Sequence, residues 1–434
     1  MALIDARGIP ADQTSVERLA REDLDYRVVD PDDPAQAVPF QRAMSRGFLG
    51  AEPTSATLEE GLPTVRSRRN IGVYERGTAR GTLPVATIDS WVTPLTLPGG
   101  DIGMWAISGV TVSGTHRRRG IARSLLEGEL RAAAQAGVAL AGLTVTEATI
   151  YGRYGFGAAV PVSHLTVDTR RAGWAATPSR GRFEYVDREQ LAADLGAVHE
   201  RARRGRPGQV PGWSARWAGI AGLASADTDR DRVRGVHFLD QDDVLRGVLA
   251  YTLEEMGGTF RFRLRVRMLV GETPAAVAAL WRYALQHDLV DEVTADLRPL
   301  DDPLPWLVAD SRGVTQVLHD HGWLRILDLP AALTARRYSA PLDTVLRVED
   351  SLGFADGDWR LRVDESGVAE VEVATEGRDA DIALDVSALS SLYAGGVRAA
   401  SLHGAGRISG DAAAVEALDR ALIAFPAPSL DIWY

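Results

Sequence analysis

The chain of 434 residues contains no cysteine. Disulfides, Cys-ligated zinc and a cysteine nucleophile are therefore excluded. Lysine is absent as well, so all 48 residues of the Lys and Arg count are arginine. With abundant Ala and Gly, that bias fits a GC-rich coding sequence. No apolar run is long enough to span a bilayer, which argues against a membrane protein. The start, MALIDARGIPADQ, lacks a basic stretch followed by an apolar one, so no secretory signal is expected and the cytosol is the default location. Positive charge is also in deficit: the formal net charge is −11. An acidic chain is poorly suited to wrapping nucleic acid. It suits a cationic substrate, and equally it aids solubility. HExxH, Walker and GxSxG patterns are all missing.

What is present centres on Gly109–Gly128, GVTVSGTHRRRGIARSLLEG. Val110, Thr111 and Val112 read as the end of a strand. A polar turn follows, then a helix opening on Arg117, Arg118, Arg119, Gly120, Ile121, Ala122 and Arg123. Arginines at a helix start oppose the helix dipole. An anion on that turn resolves the conflict. Free N–H groups would face it, Gly120 would allow close approach, and the guanidinium groups would add charge-assisted bonds. The stretch thus predicts a di- or polyphosphate ligand. A solvated basic turn is the competing reading of RRRG alone. The strand-like run Met104–Val112 before it, and the helical spacing of Ile121, Leu125, Leu126 and Leu130 after it, favour the anion.

A hydrophobic content of 45% over this length supports two or three domains. Residues 1 to about 25 read as a loose leader or one short helix. A strand is expected near Tyr26–Val29, then a helix with Pro at its start in PDDPAQAVPFQRAMSRGF. A shorter helix over Ser55–Glu60 should stop at Gly61 and Pro63. Antiparallel strands, the anion turn and its helix, the strand Ala139–Thr144 and the helical piece EATIYGRYGFG complete a first domain, residues 1–168. A second, 169–310, repeats the order of elements, but its strand–turn–helix junction, Gly271-Glu272-Thr273-Pro274, has no arginine and one carboxylate. It reads as a degenerate copy serving as structure. A third, 311–434, ends in FPAPSLDIWY, whose apolar character suggests that Trp433 and Tyr434 are tucked into something.

At Arg117, Gly120 and Ala122 the sequence resembles the pyrophosphate motif of the GCN5-related N-acetyltransferases. The wider strings VTVSGTHRRRGIARSL, TEATIYGRYGFG, DDPLPWLVAD, WLRILDLPAAL and DVSALSSLYAGG resemble the Eis-type (enhanced intracellular survival) branch over nearly the whole chain. The resemblance implies an α+β chain: two tandem acetyltransferase-type domains, then a domain of the sterol-carrier-protein fold whose tail reaches the active site. It implies a homohexamer and acetyl-CoA as co-substrate, with no metal. Val110, Thr111 and Val112 would meet the pantetheine arm, Arg117 to Arg123 the pyrophosphate, and Thr146 and Glu147 the cofactor at the next strand's end. Tyr151 matches the family's general acid, and the terminal carboxylate of Tyr434 its general base. The implied reaction is direct acetyl transfer to primary amines of cationic small molecules (aminoglycoside- or polyamine-like) or to lysine side chains.

Chemistry asks for the same parts. An aliphatic amine, with a pKa of about 10, must lose a proton before attack. A carboxylate can take it, and burial beside Trp433 would make that carboxylate a better base. A Tyr hydroxyl can serve the departing thiolate. Tyr154 competes with Tyr151, and Glu147 has a second reading as a helix N-terminal acid. No acidic residue stands in Pro39–Gly50, where Arg46 does. The Gly404–Gly410 run has the wrong spacing for a nucleotide loop, and His319-Asp320-His321 reads as a surface turn. A catalytically idle acetyl-CoA- or lipid-binding scaffold is the alternative from another class.

Overall fold

A computed structural model describes every residue except Met1, Ala2, Arg80, Thr259, Glu376 and Arg378. In chain order the elements begin α1 (Gln13–Ala20), β1 (Leu24–Val28), α2 (Pro34–Gly47), α3 (Ser55–Ser67), β2 (Arg69–Glu75), β3 (Ala86–Leu97), β4 (Gly100–Val112), α4 (Ile121–Gln135), β5 (Leu140–Thr144), α5 (Ala148–Tyr151) and β6 (Gly157–Asp168). They continue α6 (Thr169–Ala172), β7 (Arg182–Val186), α7 (Arg188–Arg203), α8 (Ser214–Ile220), β8 (Arg234–Leu239), β9 (Leu245–Glu255), β10 (Phe262–Gly271), α9 (Pro274–Leu285), β11 (Val290–Arg298), α10 (Leu304–Leu307) and β12 (Val314–Ile326). The last part holds α11 (Leu329–Thr334), β13 (Leu342–Glu349), β14 (Gly357–Val363), β15 (Ala369–Val373), β16 (Ile382–Asp385), α12 (Val386–Leu392), α13 (Ala399–Gly404), β17 (Ile408–Gly410) and α14 (Ala412–Leu422). Among the described residues no helix is long and apolar enough to cross a membrane.

The chain divides into two compact units. One comprises Met1–Ala159, Gly322–Ala424 and Tyr434; the other comprises Val160–His321 and Phe425–Trp433. In the first, strands run in the order β1-β2-β3-β4-β5, with the Gly322–Ile326 stretch of β12 antiparallel to β5. All neighbours are antiparallel except β4 and β5. Ile71, Ile88, Trp105, Leu125, Leu126 and Leu130 form the core between sheet and helices. A five-stranded sheet, β15-β14-β13-β16-β17, belongs to the same unit. In the second unit the order is β6-β11-β10-β9-β8-β7, over a core that includes Tyr251, Leu264, Leu280 and Trp281.

Two local expectations change, and one alternative is decided. Residues 1 to about 25 hold one short α-helix rather than a loose leader. Asp12 caps α1 and receives Arg131 at 2.7 Å, while Ser15 Oγ donates to the Ser124 carbonyl at 2.7 Å, so α1 is fastened to α4. Next, α3 runs through Gly61 and Pro63 to Ser67. Asn70 Nδ2, just past its end, donates to the Val65 carbonyl at 2.8 Å and bonds the last turn. Propensity is a weak prior, and these two breakers do not end the helix. Finally, α4 starts at Ile121, after the arginines, which sit in the preceding turn.

One buried ion pair organises the first core. Arg69 and Glu129, 1% and 0% exposed, meet at 3.1 Å. Trp105 Nε1 and Ser90 Oγ donate to the other carboxylate oxygen, and Arg69 also donates to the carbonyls of Ile9 and Pro10. Removing one partner of such a pair strands the other charge, at a cost of about 3–5 kcal/mol. Glu129→Ala is therefore expected to lower the unfolding free energy by that amount in urea titration; a loss below about 1 kcal/mol would show that the pair does not organise the core.

Candidate active site

Strands β4 and β5 lie parallel but pair only over Met104–Ala106 with Leu140–Gly142. Beyond that they part. The cause lies in β4, whose register against β3 slips between Thr87 and Asp89. Gly109 sits at this bulge with φ +62°, where a side chain would meet Asp89 Oδ2 at 2.8 Å. A bulge bends the strand that carries it. The backbone of Val110, Thr111 and Val112 is thus left with its β5-side edge unpaired. Thr111 is pinned to β3 by a 2.7 Å hydroxyl contact with Thr87.

The turn after β4 prepares the start of α4. Arg118 and Gly120 both have positive φ, +64° and +72°. Gly120 is the N-cap, and no side chain caps the helix. The first N–H groups of α4 therefore remain free for an anion. Arg117 and Arg118 are exposed and have no ion-pair partner among the described residues. Arg119 reaches the Glu22 carbonyl, and Arg123 pairs with Glu127 at 2.6 Å. Ile121 anchors the turn in the core and Ala122 is half-buried. In the second unit the corresponding helix α9 differs. Thr273 caps it, accepting from Ala276 N–H at 3.1 Å, and Pro274 follows. There Arg298 donates to the Leu269 carbonyl at 2.8 Å, placing a side chain in the gap between β10 and β11.

Past β5, Thr146 and Glu147 are exposed. Glu147 is the N-cap of α5 and accepts from the Thr149 hydroxyl at 2.6 Å and its N–H at 3.1 Å. Those bonds hold its carboxyl below the usual range. Tyr151 closes α5, buried edge-on against Phe156 at 6.1 Å. Burial raises its phenol pKa, with Glu147 adding to the effect, and its hydroxyl bonds to no described residue. It is a protonated donor with a free hydroxyl at neutral pH. Tyr154 is buried too, and its backbone carbonyl is fixed by Arg325 Nε at 2.7 Å.

Arg325 was not legible as a site residue. It stands in the apolar run WLRIL of β12, is 0% exposed, and meets Asp350 with two bonds of 2.7 and 2.8 Å. A side chain at Gly155 would strike it. Ser387 Oγ donates to the Phe156 carbonyl at 2.7 Å. The Gly/Tyr turn that carries Tyr151 is thus clamped by residues some 170 to 230 positions away. An arginine inside an apolar run is the one sequence signal that could have flagged it.

Tyr434 lies at the same place. Thr144 Oγ1, on the last residue of β5, donates to the main-chain carbonyl oxygen of Tyr434 at 2.6 Å and accepts its N–H at 3.3 Å. The aromatic ring beside Tyr434 is Trp91, edge-on at 5.7 Å. Trp433, expected there, instead packs on His321 in the second unit at 4.4 Å, because its neighbours along the chain are tied there. Asp431 bonds His199 at 3.0 Å, and His321 Nε2 donates to the Ile432 carbonyl at 2.9 Å. His321 is therefore buried on a strand rather than in a surface turn. Among the described residues no group of acids and histidines could hold a metal.

Residues 30–159 and 211–326 each match models of an acetyltransferase (GNAT) domain, and residues 329–430 match a sterol carrier protein domain. With the parted strand pair and uncapped helix, they define an acetyl-CoA-dependent N-acetyltransferase of the GNAT class. An uncharacterized N-acetyltransferase of Streptomyces avermitilis is 34% identical over 399 residues, 89% of this chain and 93% of its own length. The N-acetyltransferase Eis of Mycobacterium tuberculosis is 33% identical over 326 residues, 72% of this chain and 76% of its own. The chain belongs to the Eis-type family of GCN5-related N-acetyltransferases. The crystal structure of Eis1 from Mycobacterium abscessus superposes with a TM-score of 0.79 at 28% identity, covering 95% of this chain and all of that one.

The tail's anchorage is pH-sensitive. Burial pushes His321 down from 6.5 to about 4. Between those values protonation favours the unfolded chain. The stability tied to a neutral His321 is full above about pH 6.5 and is lost as pH falls toward 4, on the order of 3 kcal/mol in all. Denaturant unfolding at pH 7.5 and 4.5 should show this loss, and His321→Gln should be less pH-dependent by that margin. Equal pH dependence in both proteins would contradict it.

Proposed function

We propose that the first unit moves the acetyl group of acetyl-CoA to a primary amine by direct attack in a ternary complex. The acceptors are amines of cationic small molecules, aminoglycoside- or polyamine-like, or lysine side chains. The observation that carries the reading is the main-chain carbonyl oxygen of Tyr434 bonded to Thr144 at 2.6 Å, at the mouth of the parted strands.

The free edge of Val110, Thr111 and Val112 would bond the pantetheine amides. Arg117, Arg118, Arg119 and Arg123, with the N–H groups of Gly120, Ile121 and Ala122, would hold the pyrophosphate. Thr146 and Glu147 would border the cofactor from the end of β5. The Tyr434 carboxylate takes a proton from the ammonium group, which at a pKa of about 10 is otherwise charged at neutral pH. The nitrogen then bonds the acetyl carbon, the carbon–sulfur bond breaks, and the Tyr151 hydroxyl gives its proton to the departing sulfur; the acylated nitrogen sheds its second proton, which restores the Tyr151 hydroxyl, and Tyr434 releases the first to solvent. The scheme needs no cysteine and no metal. The second unit, with its capped α9 and Arg298 in the strand gap, serves as structure. The homohexamer and cytosolic location implied by family resemblance belong to the same reading.

Release of CoA can be followed with a thiol reagent that meets no thiol on this chain. Acetyl-CoA with a panel of amines should release CoA; no release with any amine would overturn acetyl transfer. General acids contribute roughly 10²–10⁴-fold. Tyr151→Phe should lower kcat within that range with acetyl-CoA affinity kept, and Tyr154→Phe should stay near wild type. The reverse pattern would move the role to Tyr154.

A further inference from the structure

The second unit holds a cavity of its own, about 640 Å³, between α8 and the strands β9, β10 and β11. That volume suits a small-molecule site. Its floor follows from strand alternation. In β10, Leu264 and Val266 belong to the core, so Arg263 and Arg265 take the opposite face. Arg267 follows, at a slip in the register against β9. The outer two arginines are spent. Arg263 pairs with Glu292. Arg267 donates to Asp227 at 2.6 Å, and to the carbonyls of Gly219 and Ile220 at the end of α8, at 2.8 and 3.0 Å. Arg265, between them, lines the cavity and bonds no described residue. Its register partners are Thr252 on one side and Thr294 on the other, and both line the cavity with it.

A second free guanidinium comes from α8. Arg216 is half-buried, lines the same cavity and likewise bonds no described residue. The carboxylate whose field reaches it, Asp431, already bonds His199 at 3.0 Å, and Arg267 repels it. Arginines withdrawn from water are normally paired. An oxyanion in this cavity can take charge-assisted bonds from both, in the forked geometry that suits a phosphate. The remaining wall limits what that anion carries. Asp296 lines the cavity and pairs with no described arginine; His164 and His319 stand 3.8 and 3.7 Å from it. A second anionic group on the ligand would be repelled by that carboxylate. A hydroxyl would donate to it, and the Thr252 and Thr294 hydroxyls can donate or accept. Trp433, 36% exposed, lines the cavity too. Its electron-rich face suits the C–H face of a sugar ring.

We infer that this cavity binds a hexose monophosphate, with its phosphate on Arg265 and Arg216, its hydroxyls on Thr252, Thr294 and Asp296, and its ring against Trp433. The site gives a ligand to a unit otherwise read as structure. It does not depend on the acetyl-transfer reading, and it involves no covalent step.

Isothermal titration of the full-length protein tests it with glucose 6-phosphate, glucose, inorganic phosphate and fructose 1,6-bisphosphate. Glucose 6-phosphate should bind with a Kd below about 1 mM. The other three should bind at least about tenfold more weakly, since each lacks a contact or meets Asp296 with a second charge. Arg265→Gln and Arg216→Gln should each weaken glucose 6-phosphate by at least about tenfold. Arg263→Gln, on the same strand face but already paired, should leave its affinity unchanged. So should Arg118→Gln, in the anion turn of the first unit. Where a variant fails to fold by near-ultraviolet circular dichroism, the wild-type order of the four ligands decides. No binding of glucose 6-phosphate overturns the site. Equal affinity for inorganic phosphate or the bisphosphate overturns it as well. So does native affinity in both Arg265→Gln and Arg216→Gln, or loss of binding in Arg118→Gln.

Discussion

Two parallel strands that cease to pair are the constraint on which the rest of the first unit depends. Parallel strands normally continue together, since each lost ladder bond leaves an N–H or a C=O without a partner. Here the bulge at Gly109 bends β4 away, and pairing with β5 stops at Ala106 and Gly142. The orphaned backbone of Val110–Val112 is then available for another molecule's amides. The uncapped start of α4 follows on one side, and Thr144, holding Tyr434, ends β5 on the other. One backbone irregularity thus stands beside an open strand edge, an uncapped helix start and the bond between Thr144 and Tyr434.

The sterol-carrier part contributes rigidity to that arrangement. The buried Arg325–Asp350 pair fixes the Tyr154 carbonyl, and Ser387 fixes that of Phe156. Buried charges are costly unless fully bonded, and Arg325 also donates to the Ile326 carbonyl. Such a clamp holds the Tyr151 turn in a single geometry. The tail beyond it is tied residue by residue, through Asp431, Ile432 and Trp433 in the second unit and Tyr434 in the first. Leu430 and Ile432 are buried there, while Phe425 at the start of FPAPSLDIWY is exposed.

Family, fold class and the strand–turn–helix were legible because their signals are local: the strand-like run Met104–Val112, glycine at the turn, helical spacing after Ile121. Local signals failed at several points. Gly61 and Pro63 do not stop α3, whose last turn is bonded by nearby Asn70. The arginines precede α4 instead of opening it, so their conflict with the dipole is milder than the sequence suggests. Trp433 and Trp91 exchange places beside the last residue. That Arg265 and Arg216 line one cavity leaves no pattern in the chain at all, since it depends on which strands and helix become neighbours.

The most direct measurement replaces the terminal carboxylate of Tyr434 by an amide through protein semisynthesis, changing one charge and no side chain. If that carboxylate takes the substrate's proton, kcat falls at least about 100-fold. Acetyl-CoA affinity stays the same. The residual kcat/KM climbs tenfold per pH unit toward the amine pKa of about 10, as free amine becomes available without help. Native turnover and a native pH profile in the amidated enzyme would contradict it.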